Sequence, residues 1–283
     1  MEGANVRGLE ERDIDAAIGL TDLEHWGYTR ADFRRLLALS PRGCFVAESR
    51  GQVVGVLTTT SYGGLAFLGA VIVRPELRGK GVGKAMMEAA LTRLTEEGVR
   101  AVRLYAYLNA IRFYERLGFH SEYEVVRWTG PASTGRVRAV RPVRLNDLDA
   151  IARMDARYFG TNRRALLDLL VEEFASTFLV AEHRGRIRGF IVGNRSGDSC
   201  EVGPWVVEPE NEAIATDLVR GLAAATGASE LAFSGPTRNE ALLEFVRLGR
   251  FDETLRTLRM WWEANEFVGE PRGIWALAGL EKG

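Results

Sequence analysis

The apolar positions of the chain switch repeatedly between a period of two and a period near 3.6. GCFVAES (43–49) and QVVGVLTTT (52–60) read as strands around a two-residue turn at Arg50-Gly51. LAFLGAVIV (65–73) is apolar almost throughout, which predicts a strand buried on both faces and central in its sheet. ERDIDAAIGLTDLE (11–24) and TRADFRRLLALS (29–40) carry helical spacing, and Pro41 follows the second. VGKAMMEAALTRLTEE (82–97) predicts a long helix ended by Gly98. VRAVRLYAY (99–107) predicts a strand, NAIRFYERL (109–117) a helix ended by Gly118, and FHSEYEVVRW (119–128) a last strand; ANVRGLE (4–10) is a short first one.

A shift of 134 residues lays this pattern over the rest of the chain. FVAESRGQVVG (45–55) meets LVAEHRGRIRG (179–189). The same register matches Arg7 to Arg141, Asp13 to Asp147, and Pro75-Glu76 to Pro209-Glu210. A constant offset over some seventy residues predicts two copies of one fold, 1–130 and 131–283, joined near TGPASTG (129–135), whose Gly, Pro, Ser and Thr content marks a linker. Each copy is expected to be α/β (α+β): a mixed, mostly antiparallel sheet with helices on both faces.

Composition narrows the function. The 283 residues carry a formal net charge of -1, which argues against general phosphate neutralisation and so against a nucleic-acid partner. No apolar run approaches a membrane span, and MEGANVRGLEERD does not read as a signal peptide, so a cytoplasmic protein with no membrane partner is expected. Cys44, Cys200 and the scattered His25, His120 and His183 have no metal-ligand spacing, and no metal is expected.

The candidate chemistry lies in RPELRGKGVGK (74–84), directly after the central strand. Gly79, Gly81 and Gly83 stand where a helix begins, although glycine weakens helices. Two of the chain's three lysines, Lys80 and Lys84, stand here beside Arg78. A helix start offers unpaired N–H groups and partial positive charge, a ready anion site. The Walker pattern fails because Arg78 and Ala85 occupy its glycine and Ser/Thr positions. The dinucleotide fingerprint fails because residue 84 is Lys and no ribose-binding acid follows.

With AVIVRPELRGKGVGKAMMEAAL (70–91) and NAIRFYERLGF (109–119) at this spacing, the chain resembles the GNAT (GCN5-related) superfamily of acetyl-CoA-dependent N-acetyltransferases, in a tandem branch whose second domain is degenerate. The resemblance implies acetyl-CoA as co-substrate. The backbone of Val71, Ile72 and Val73 would pair with its pantetheine arm. Residues 79–84 (Gly79, Lys80, Gly81, Val82, Gly83, Lys84) and Arg78 would hold its phosphates. It also implies that the Tyr114 phenol protonates the leaving thiolate. Asn109 opens the helix and reads as its N-cap, with a cofactor contact as the alternative.

The general base is open. LAFLGAVIV (65–73) holds no carboxylate, and VRLYAY (102–107) offers Tyr105 and Tyr107 instead. The loop TDLEHWGYT (21–29) offers Glu24 and His25, with a water relay as the alternative. In the second copy the loop becomes VEPENEAIATDL (207–218): Arg78 becomes Glu212, the glycines become Ala213, Ala215 and Asp217, and Tyr114 meets Phe245. That copy is expected to bind no coenzyme A. Glu201 and Trp205 on its central strand are either ligand contacts or a rim carboxylate and a core tryptophan. The expected activity is acetyl transfer to a small-molecule or peptide amine by a monomer or homodimer. A non-catalytic acetyl-CoA sensor is the alternative, and a nucleotide hydrolase comes third.

Overall fold

The computed structural model describes residues 4–283. The first half runs β1 (Asn5–Gly8), α1 (Ile14–Thr21), α2 (Arg30–Leu39), β2 (Phe45–Ser49), β3 (Gln52–Tyr62), β4 (Leu65–Val73), α3 (Val82–Glu96), β5 (Ala101–Tyr107), α4 (Ile111–Glu115) and β6 (His120–Pro131). The second repeats the order as β7 (Val140–Pro142), α5 (Leu148–Phe159), α6 (Arg164–Glu173), β8 (Phe178–His183), β9 (Arg186–Ser196), β10 (Ser199–Val207), α7 (Glu212–Thr226), β11 (Glu230–Pro236), α8 (Glu240–Gly249) and β12 (Asp252–Glu263). It then adds β13 (Ile274–Ala276).

The repeat in sequence is a repeat in interactions. Arg7 donates to both carboxylate oxygens of Asp13 at 2.7 and 2.9 Å and to Glu48 at 2.9 Å. Arg141 makes the same bonds to Asp147 at 2.7 and 2.9 Å and to Glu182 at 2.9 Å. Each set ties a first strand to the following helix entry and to its neighbouring strand. The paired turns also agree. Arg50 and Gly51 have φ of 52° and 75°, Arg184 and Gly185 51° and 72°, so both hairpins use a left-handed two-residue turn.

Successive residues of β2 and β3 face opposite layers, as period two requires. Val46 and Val56 pack under α1 and α2 with Ile14, Phe33 and Ile72. Ala47 and Leu57 pack under α3 with Met86, Met87 and Leu94. The halves do not keep separate sheets. One sheet runs β1-β2-β3-β4-β5-β12-β6-β11-β10-β9-β8-β7, with β13 paired to β10. The last strand of each half is exchanged: β12 pairs with β5, β6 pairs with β11, and the two pair with each other at the junction.

Local detail departs from the sequence reading in three places. Thr129, Gly130 and Pro131 belong to β6, so the linker begins beyond them: strand pairing with β11 overrides their turn propensity. The second motif is a 3-10 turn over Leu108–Ala110 followed by only five residues of α4. Asn109 therefore lies inside that turn and makes no capping bond.

Candidate functional site

The site is built by a break in strand pairing. β4 pairs in parallel with β5 only over residues 65–68. Between its pairs Gly69 and Ile72 it bulges against β3, and Ala70 takes a positive φ of 46°. β5 meanwhile continues along β12 to Tyr107. The strands diverge, and residues 69–73 of β4 have no partner on that side among the described residues. A cavity of about 1450 Å³ opens there. Residues 68–73 form one wall, Tyr105, Tyr107 and Tyr114 another, and Arg78, Gly79, Gly81, Gly83 and Lys84 one end.

The glycine loop has the geometry its composition suggests. Gly79 and Gly81 have φ of 75° and 86°, and a Cβ at either would point into open space. Their lack of a side chain serves backbone conformation first. The first bond of α3 runs from the Ala85 amide to the Gly81 carbonyl at 3.0 Å. The amides of residues 81–84 then have no backbone acceptor among the described residues, and they crown the fifteen-residue α3. Arg78 is fixed by donating to the Val73 carbonyl at 2.9 Å. Lys84 lines the cavity and stands 3.5 Å from Glu88. Lys80 is exposed and does not line the cavity, and the Val82 side chain is buried in the core.

Tyr114 is 8 % exposed, lies edge-on to Phe119 and borders the cavity. Burial raises its phenol above the ordinary range, so it stays protonated at neutral pH. Glu24, His25 and Asn109 also line the cavity. Glu24 accepts a bond from Arg78 at 2.7 Å, which commits that carboxylate to a guanidinium. His25 is exposed, with a left-handed backbone at φ 56°. Trp26 packs edge-on against Tyr107 at 6.1 Å, and Tyr28 sits beside them.

The sequence reading missed the segment 277–283. It crosses from β13 into the cavity of the first half. Thr60 Oγ1 donates to the Glu281 carbonyl at 3.0 Å and Tyr62 Oη to that of Lys282 at 2.9 Å. Arg163 donates to the Gly283 carbonyl and is itself held by Asp155 at 2.9 and 2.6 Å. Glu281 and Lys282 are buried as an ion pair. A Cβ on Gly69 would stand 2.1 Å from that of Glu281, so the glycine of LAFLGAVIV admits the segment. The available signals were that glycine and the third lysine of a chain rich in arginine.

The second half closes the equivalent place. β10 pairs with β11 over residues 199–201 and then diverges, as β4 does from β5. There β13 fills the gap, pairing with Trp205 and Val206. Trp275 packs at 4.9 Å on Trp205 and edge-on to Phe245, the counterpart of Tyr114. Trp205 is fully buried. Glu201 faces the cavity and accepts from Arg127 at 2.6 and 2.5 Å.

Comparison with known proteins matches this architecture. The Acetyltransferase (GNAT) family model matches residues 15–119, and an Acetyltransferase (GNAT) domain model matches 151–276. The chain is similar to the uncharacterized N-acetyltransferase YitH of Bacillus subtilis, 23% identical over 220 residues, covering 76% of this chain and 77% of that one. It is 33% identical over 148 residues to the mycothiol acetyltransferase of Thermobispora bispora, covering 45% of this chain and 48% of that one. A solved structure of a candidate acetyltransferase from Pyrococcus horikoshii shares the fold with a TM-score of 0.86 at 21% identity, covering 100% of this chain and 97% of that one.

Proposed function

Because the chain belongs to the GNAT acetyltransferase family, with two copies of the fold in tandem, we propose that its first half transfers the acetyl group of acetyl-CoA to an amine. The observation that carries this reading is the open edge of β4 running into the free amides of α3. Unpaired backbone over residues 69–73 suits the amides of a pantetheine arm, which can add to the sheet as another strand does. Four orphan amides under a helix dipole suit a diphosphate, and the open space at Gly79 and Gly81 lets its oxygens approach the backbone. Arg78 and Lys84 supply charge at that end, and Lys80 outside it.

The chemistry then needs three things: a neutral amine, support for a tetrahedral oxyanion and a proton for the thiolate. A β4 amide beyond the bulge supports the oxyanion. Tyr114, neutral and buried at the cavity wall, delivers the proton. Residues 1–130 would supply the acetyl-CoA site and Tyr114. Residues 131–283 would supply part of the acceptor wall, through Glu201, Asn194 and Ser234.

Thiol release from acetyl-CoA, measured with a panel of primary amines, tests the reading. Amine-dependent release with an acetylated product is expected. Acetyl-CoA binding without release to any amine would overturn catalysis and favour a sensor.

A further inference from the structure

The family reading leaves the proton acceptor for the incoming amine unassigned, and the structure offers a carboxylate that the sequence motifs do not contain. We propose that Glu281, carried into the first half's cavity by the segment 277–283, is that proton acceptor, and that the acceptor substrate presents a primary ammonium to it. The inference rests on the acetyltransferase reading above.

Placement is the first argument. Glu281 packs on Gly69, one residue before the β4 bulge and at the start of the unpaired edge. Glu24 and His25 also border the cavity, but Glu24 is drawn to Arg78 of the glycine loop and His25 is exposed, whereas Glu281, though paired with Lys282, stays against the strand. Glu281 alone among these three packs directly on the bulged strand.

Rigidity is the second. Three consecutive carbonyls, of residues 281, 282 and 283, accept bonds from Thr60, Tyr62 and Arg163. The amides of Lys282 and Gly283 close a turn onto the Gly279 carbonyl at 3.2 and 3.0 Å. The buried Asp155–Arg163 pair anchors the far end. A proton acceptor needs such fixed geometry more than it needs charge.

Chemistry is the third. Glu281 already holds one alkylammonium, the buried Nζ of Lys282, so the pocket accepts a primary ammonium against this carboxylate. Burial and then the Glu281 carboxylate raise the Tyr28 phenol, so it remains a hydrogen-bond donor beside that carboxylate.

The proton balance closes. The acceptor ammonium gives one proton to Glu281, which passes it to solvent. The neutral nitrogen attacks the thioester carbonyl, the C–N bond forms and the oxygen takes the electron pair. Collapse breaks the C–S bond. The nitrogen then loses its second proton, which restores the Tyr114 phenol after that phenol has protonated the departing thiolate.

Glu281→Gln, Glu281→Asp, Gly69→Ala and Lys282→Met test this. Thiol release is read with the primary-amine panel, and with water as acceptor where no amine reacts. Glu281→Gln should slow release by about a hundredfold or more, with acetyl-CoA affinity within twofold. Glu281→Asp should recover part of the rate. Gly69→Ala, whose Cβ displaces the carboxylate, should follow Glu281→Gln. The groups set against Glu281 are Lys282 and Tyr28, with Tyr62 nearby. Lys282→Met removes the ammonium that Glu281 already holds, so KM for the amine should fall while acetyl-CoA affinity stays within twofold. A Glu281→Gln rate within threefold of wild type overturns the proposal while leaving the acetyltransferase reading intact. Loss of acetyl-CoA binding in both Glu281 variants also overturns it, by making the residue structural. Failure of the wild type to release thiol to any acceptor, with acetyl-CoA bound, overturns the reading beneath it.

Discussion

The two central strands, β4 and β10, begin alike and end differently. Each pairs with its parallel neighbour for a few residues and then diverges from it, β4 after Leu68 and β10 after Glu201, just before the equivalent glycines Gly69 and Gly203. Beside β4 the divergence leaves a cavity. Beside β10 it is filled by β13, and the Leu277 carbonyl lies where a Cβ of Gly203 would be. The same fold thus becomes an open cleft or a closed core according to whether the strand 274–276 adds beside it. The residues that follow, 277–283, furnish the first half's cleft without closing it. Loss of one site and completion of the other are one structural event.

The largest expected effect is on the closed side. Trp275→Ala removes an indole packed between Trp205 and Phe245, and should cost about 3–5 kcal/mol of stability, measured by denaturant unfolding. It should not create a second acetyl-CoA site, because Glu212 and Asp217 still replace Arg78 and Gly83. A second binding event in this variant would mean that the strand alone closes the half.

Gly81→Asp brings the second half's charge to the first. A carboxylate about 4 Å from a diphosphate costs roughly 4 kcal/mol at an effective dielectric near 20, about a thousandfold in Kd. The variant also places a non-glycine at φ 86°, which should cost a further 1–2 kcal/mol or so of stability, so Tm should fall modestly as binding disappears. Retained affinity would remove the loop from the phosphate site.

Tyr114→Phe makes the open side resemble Phe245. It deletes a hydroxyl and little volume. Turnover should fall about a hundredfold in kcat with unchanged acetyl-CoA affinity, read by steady-state kinetics with a reacting amine. A kcat within threefold of wild type would leave proximity and backbone donors as the whole of catalysis.

The smallest difference should be none. Arg7→Met and Arg141→Met break equivalent networks, and each should cost about 1–2 kcal/mol, equally within error. The arginines hold the Asp13 and Asp147 carboxyls below their ordinary range. Depressed carboxyls contribute stability above their unfolded pKa near 4, and lose it as pH falls through the folded values. Wild type should therefore lose stability below about pH 4 more steeply than the double variant. Unfolding curves across that range check the sign.

What was legible in the sequence follows from this physics. The 134-residue register was readable because Arg7, Asp13 and Glu48 form one bonded network, and the same three residue types recur in the same network as Arg141, Asp147 and Glu182. The hairpin turns were readable because both use left-handed residues. The loop was readable because a helix start with positive-φ glycines and cations has few structural uses. The strand exchange was not readable: β6 and β12 have the same alternation whichever sheet they join. The Asn109 cap failed because a 3-10 turn placed that residue inside the element. The closure by β13 and the placement of Glu281 depend on contacts some 70 to 220 residues apart in sequence, which no local pattern encodes.

One cleft of the molecule is open and its twin is closed by the chain itself. Isothermal calorimetry of the intact protein with acetyl-CoA tests it most directly. One site per chain is predicted, lost in Gly81→Asp and kept in Trp275→Ala. Two equivalent sites in wild type, or one that survives Gly81→Asp, would contradict the account.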